Sequence, residues 1–95
     1  MTPQELRERT RQFALRVVRF CRTLPPTAEA HEIGGQLRRA ANGVASNYRA
    51  AGRARSRAEF AARIGIVLEE ADESEHWLPV LSNGLPLARG TSIGR

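Results

Sequence analysis

Arginine offers this chain most of its chemistry. Arg49, Arg53, Arg55 and Arg57 crowd into one short stretch, and Arg38 and Arg39 precede them by about three helical turns. Each guanidinium is a planar fork of donors that matches phosphate or carboxylate. Ser56-x-x-Glu59 in the same stretch has the form of a capped helix start. The unpaired backbone N–H groups of such a start would add positive potential at the same end. These six arginines are therefore the candidate contacts for a polyanion, RNA or DNA, bound by backbone charge rather than by sequence. A low aromatic content, 5%, argues against stacking of bases from a single strand. The bland alternative is a solvated polar end whose arginines pair with acids of a neighbouring subunit.

The remaining chemical candidates are weaker. Glu69, Glu70, Asp72, Glu73 and Glu75 form an acidic run, but helical geometry scatters them, with Glu70 pointing away from Glu69, Asp72 and Glu73. Glu73-x-x-His76 has the spacing used by di-iron sites in helical bundles. A hairpin about residue 53 or 54 would bring His31 level with His76, near Glu29 or Glu32. Only one such motif is present, so no metal ligand is assigned. Cys21 lies beside an apolar seam with no base pattern to activate it, and is read as a structural thiol. Asn47 is read as a hydrogen-bonding residue that fixes helix register or subunit packing. No Gly-rich phosphate loop or nucleophile elbow occurs. No catalytic residue, cofactor or metal is expected, and the chain reads as non-enzymatic.

Three amphipathic helices must carry these residues. Thr2, Pro3 and Glu5 form a capping box with proline at the first helical position. Leu6, Thr10, Phe13, Val17, Phe20 and Leu24 follow in a four-three seam, and Pro25-Pro26 stops the helix. Thr27 caps the second helix, whose stripe is Ile33, Leu37, Ala40, Val44, Tyr48 and Ala51, with Gly52 as its C′ residue. Ser56 starts the third, with Phe60, Ile64, Val67, Ala71, Ser74, Leu78 and Leu81 as its stripe, which Trp77 widens near the end. Pro79 is expected to end or kink it. The helices are placed at about 3–24, 28–51 and 57–78 in a domain of residues 1–82. Residues 83–95 show no period and read as an irregular tail.

Composition narrows the classes further. The chain has 95 residues, enough for one domain, and a hydrophobic content of 41%, enough for a core. All fifteen basic residues are arginine. Residues 1–63 hold thirteen arginines against five acids, whereas residues 64–81 hold five acids and no base. Such a bipolar chain suits a polyanion partner or head-to-tail self-association. One cysteine excludes an internal disulfide and fits a reducing compartment. No signal-peptide pattern is present, and no stretch reaches the ~20 apolar residues of a membrane span. The chain is expected to be cytoplasmic.

Several segments share the order and spacing of one bacterial family. They are Gln36-Leu37-Arg38-Arg39-Ala40, Ser46-Asn47-Tyr48-Arg49-Ala50-Ala51, Arg53-Ala54-Arg55-Ser56 with Glu59-Phe60, and Glu69-Glu70-Ala71-Asp72-Glu73 followed by Trp77-Leu78. Over about residues 10–81 the chain resembles the "four helix bundle protein" family, also called the 23S rRNA intervening-sequence protein family. The resemblance implies an all-α, antiparallel up-and-down bundle. It implies self-association as a ring-shaped homopentamer. It also brings in a related accessory protein of diversity-generating retroelements, which binds nucleic acid and a reverse transcriptase. No enzymatic activity is attached to the family. The family pattern continues past the Trp-Leu region into a fourth amphipathic helix, where this chain has Pro79 and an aperiodic tail. The chain thus reads as three helices of a four-helix pattern, truncated or frame-shifted after about Leu81.

The expected function is that of a self-associating accessory protein binding RNA or DNA through Arg38, Arg39, Arg49, Arg53, Arg55 and Arg57. The rivals are a protein-interaction or structural oligomer module without a nucleic-acid role, and a truncated product with no function.

Overall fold

The computed structural model describes residues 1–85. Three helices appear in chain order: α1 (Pro3–Cys21), α2 (Ala28–Ala51) and α3 (Arg57–Gly84). The α1 start is the expected capping box, with Glu5 N donating to Thr2 Oγ1 at 3.1 Å and Thr2 N donating to Glu5 Oε1 at 2.7 Å. The helix ends three residues before Leu24. Thr23 N and Leu24 N then donate to Phe20 O and Cys21 O, a tightened turn that runs into Pro25-Pro26. Thr27 caps α2 by accepting from Ala30 N at 3.1 Å. Gly52 is the C-cap itself and keeps right-handed geometry, φ −65° and ψ −14°, so the turn does not use the left-handed freedom of glycine.

The chain runs up, down and up. Tyr48 near the end of α2 donates its hydroxyl to Pro3 O at the start of α1, at 3.4 Å. At the opposite end Cys21 Sγ lies 3.7 Å from Gly34 O. A β-carbon on Gly34 would stand 3.1 Å from Leu24 Cδ1, so this glycine makes room for the α1–α2 connection. Between α2 and α3, Arg63 reaches Asn47 and Glu70 lies over Gly43. The result is an all-α antiparallel bundle, a rod of 53 × 20 × 18 Å.

α2 is the middle element. It buries Ala30, Gly34, Leu37, Ala40, Ala41, Val44 and Ala51. The main core lies toward the α1–α2 connection. There Val17, Ala30, Leu37, Ala41, Leu81 and Leu85 are buried together, with Phe13, Phe20, Leu24 and Trp77 packed around them. No Cα of α1 comes within 8 Å of a Cα of α3. The two helices instead face one another across a groove of about 450 Å³ over Val44, walled by Leu6, Thr10 and Phe13 on one side and Ala71 and Leu78 on the other.

Two expectations for α3 are corrected. The helix neither stops at residue 78 nor breaks before Pro79; it continues to Gly84. An interior proline removes one hydrogen bond and costs about 3 kcal/mol. Beyond it, however, Leu81 and Leu85 are 2% and 9% exposed, and their burial holds the last turn in place. Residues 83–85 are therefore helix and cap rather than tail; the rest of the expected tail, residues 86–95, lies outside the described residues. The facing of α3 follows the expected stripe in part: Ser74 and Leu81 are its buried residues and Trp77 and Leu78 pack against the core, but Arg63 and Glu70 join the side that meets α2, whereas Phe60 is 48% exposed and Ala71 is exposed.

Candidate polyanion-binding site at the turn end

The α2–α3 turn spans the residues between Ala51 and Arg57. Arg53 N and Ala54 N donate to Ala50 O and Ala51 O, which ends α2 tightly and swings the chain over. Ser56 caps α3 by accepting from Glu59 N at 3.0 Å. The reciprocal bond is shifted by one residue: Glu59 Oε1 accepts from Arg55 N at 3.1 Å, not from Ser56 N. A carboxylate of the chain thus already sits at the start of α3. The positive potential of this end therefore rests chiefly on arginine side chains.

Arg49, Arg53, Arg55 and Arg57 are all exposed at this end. Arg38 and Arg39 do not join them. Arg38 is half-buried and lines a separate cleft with Cys21, Leu24 and His31, beside the α1–α2 connection. Arg39 donates to Gln36 Oε1 at 2.9 Å on the outer face of α2. At about 1.5 Å per residue, the two stand roughly 15–20 Å along α2 from the turn. Their place is taken by arginines that the sequence pattern did not single out. Antiparallel packing brings the start of α1 beside the turn. Arg7 lines one cleft with Tyr48, Arg49 and Phe60, and a second with Arg11, Asn42, Ser46 and Arg49.

Among the described residues, the one ion pair within 4.0 Å is Arg11–Glu8, at 3.1 Å. The hydrogen bond from Arg11, seconded by one from Gln12, holds the Glu8 carboxyl below its ordinary range, and the same bond raises Arg11. The guanidiniums of Arg7, Arg49, Arg53, Arg55 and Arg57 have no carboxylate within that distance among the described residues. Like charges so concentrated repel, and a bound polyanion relieves that repulsion.

The other candidates resolve into structural roles. Asn47 Nδ2 donates to Gly43 O at 2.9 Å, which aims Oδ1 at Arg63; Arg63 Nη1 donates to it at 3.1 Å. This is the register-fixing bond between α2 and α3. Glu73 accepts from Trp77 Nε1 at 3.2 Å, and the His76 ring meets Trp77 edge-on at 4.6 Å. His31 is not brought level with His76: the register set by Asn47 against Arg63 and Gly43 against Glu70 carries His31 past it, toward the end of α3. Among the described residues no three His, Cys, Asp or Glu side chains converge as metal ligands would.

A three-helix antiparallel bundle with an arginine-rich turn defines the class as a small helical-bundle protein. The family model described as 23S rRNA-intervening sequence protein matches residues 4–85, and the chain belongs to that family. No curated protein and no solved structure matches the chain. No helix among the described residues is long and apolar enough to cross a membrane.

Proposed function

We propose that this protein is a non-enzymatic, self-associating accessory factor that binds RNA or DNA through the arginine-rich turn end. The observation that carries this reading is the set of exposed arginines at that end, Arg7, Arg49, Arg53, Arg55 and Arg57, whose guanidiniums have no carboxylate within 4.0 Å among the described residues. Arginine forks bind backbone phosphates without reading bases. Binding of this kind is weak, indifferent to sequence and steeply salt-dependent. Arg38 and Arg39 then serve as outlying contacts for a longer strand. The family resemblance supports a homo-oligomer, with a pentamer as the particular expectation, and makes a reverse transcriptase the protein partner to try first.

A second reading is favoured by the groove between α1 and α3. It would make the protein an interaction module whose arginines pair with the acidic run of a neighbour. Binding to random-sequence RNA across a salt series separates the two. The accessory-factor reading predicts an affinity that falls linearly, on logarithmic axes, as salt rises. An oligomer that dissociates with salt while the protein leaves RNA untouched at low salt would establish the interaction module instead.

A further inference from the structure

Next to the turn arginines stands an exposed ring that the charge-based reading does not use. Phe60 lies in the first turn of α3 and is 48% exposed. It lines a cleft of about 450 Å³ together with Tyr48, Arg7 and Arg49, closed on one side by Pro3 at the start of α1. That volume is in the range of small-molecule sites, about 300–1,000 Å³. Tyr48 is half-buried and its hydroxyl is committed to Pro3 O at 3.4 Å, so the wall it forms is fixed. The only aromatic pair among the described residues is His76–Trp77, so no ring covers the face of Phe60. Of the chain's five Phe, Trp and Tyr residues, two therefore share one cleft with two arginines.

Rings and guanidiniums side by side are the chemistry that holds unpaired nucleotides. The ring offers a π-face to a base, and the guanidiniums take the flanking phosphates. A duplex cannot use such a cleft without extruding a base, which costs a few kcal/mol. We propose that the cleft holds one unpaired nucleotide of a single-stranded nucleic acid, its base against Phe60 and its phosphates on Arg7 and Arg49. The proposal rests on the polyanion reading and adds to it a preference for unpaired strands. Stacking on a ring accepts any base, so the site discriminates strandedness rather than sequence.

The test compares a mixed-sequence 12-nucleotide single strand, as RNA and as DNA, with the matching duplex at one fixed salt concentration. The proteins are the parent, Phe60→Leu and Phe60→Tyr. Leucine keeps the apolar bulk and removes the π-face; helical content by circular dichroism checks each fold. The expected result is a loss of about fivefold or more in single-strand affinity for Phe60→Leu, duplex affinity within about twofold, and recovery in Phe60→Tyr. If Phe60→Leu leaves single-strand binding unchanged, or weakens both forms equally, the cleft assignment is overturned while the polyanion reading stands. If Phe60→Leu alters oligomer size and not binding, the ring is an interface residue and the proposal is likewise overturned. If the parent binds neither form at low salt, the proposal and the polyanion reading fail together.

Discussion

Gly43 and Glu70 show how single residues set this fold. A β-carbon on Gly43 would stand 2.7 Å from Glu70 Oε2 and 2.8 Å from its Cδ, so the carboxylate lies where an alanine methyl would go. Alanine at a helical glycine ordinarily gains about 1 kcal/mol. Gly43→Ala should gain clearly less than that in the parent, because Glu70 must swing out, and the full ~1 kcal/mol in a Glu70→Ala background. Urea unfolding of the four proteins in the cycle measures the coupling, expected above about 0.5 kcal/mol. Equal effects in both backgrounds would show that Glu70 does not occupy the site. Neither this contact nor the Arg63–Asn47 bond could be paired from sequence, since each depends on the register of two helices. At the turn, the sequence singled out Arg49, Arg53, Arg55 and Arg57 because they are neighbours in the chain. Arg7 escaped because it enters the same end from α1. An antiparallel topology brings the start of α1 to that turn, so topology and charge read together would have found it.

At the scale of elements, helix starts were the most legible feature. Thr2, Thr27 and Ser56 all cap as their residue types indicate, because a cap is local chemistry. The end of α3 was not legible, and its facing only in its second half, where Ser74, Trp77, Leu78 and Leu81 pack as the stripe indicates. Two four-three patterns interleave on this helix. On the more apolar one Phe60 and Ala71 are exposed, Ile64 and Leu78 are half-buried, and Ala71 and Leu78 wall the groove. The one packed on α2 contains Arg63 and Glu70, which sequence periodicity assigns to solvent. Pro79 misled for a related reason: it is a local penalty overridden by tertiary burial beyond it. Leu81 is the residue that decides this, being 2% exposed within the core. Leu81→Ala should cost about 2–5 kcal/mol in an unfolding titration. A change below about 0.5 kcal/mol would mean that the helix past Pro79 contributes no packing.

As a whole molecule, the chain is a slender rod with charge and apolar surface unevenly spread. Arginines dominate α1, the end of α2 and the turn, while Glu69, Asp72 and Glu75 lie exposed along the middle of α3. Leu6, Ile66 and Leu68 remain 37–65% exposed, outside the Phe60 cleft. Exposed apolar surface of this kind, on a chain with a small core, supports the proposed self-association. Opposite charges on α1 and α3 would steer copies together. Sedimentation at micromolar concentration should find species larger than the monomer, with a size that depends on salt. A compact monomer with a concentration-independent thermal transition would show that three helices close a core unaided. The central claim, however, is that the turn end binds polyanions. Its most direct test is the salt dependence of RNA affinity for the parent and for the variant with Arg49, Arg53, Arg55 and Arg57 all changed to Gln. Each phosphate contact contributes about 0.7–0.9 to the logarithmic slope. The account predicts weaker binding to every sequence tried and a slope shallower by about two to four units. A variant that binds as tightly as the parent at low salt, with the same slope, would contradict it.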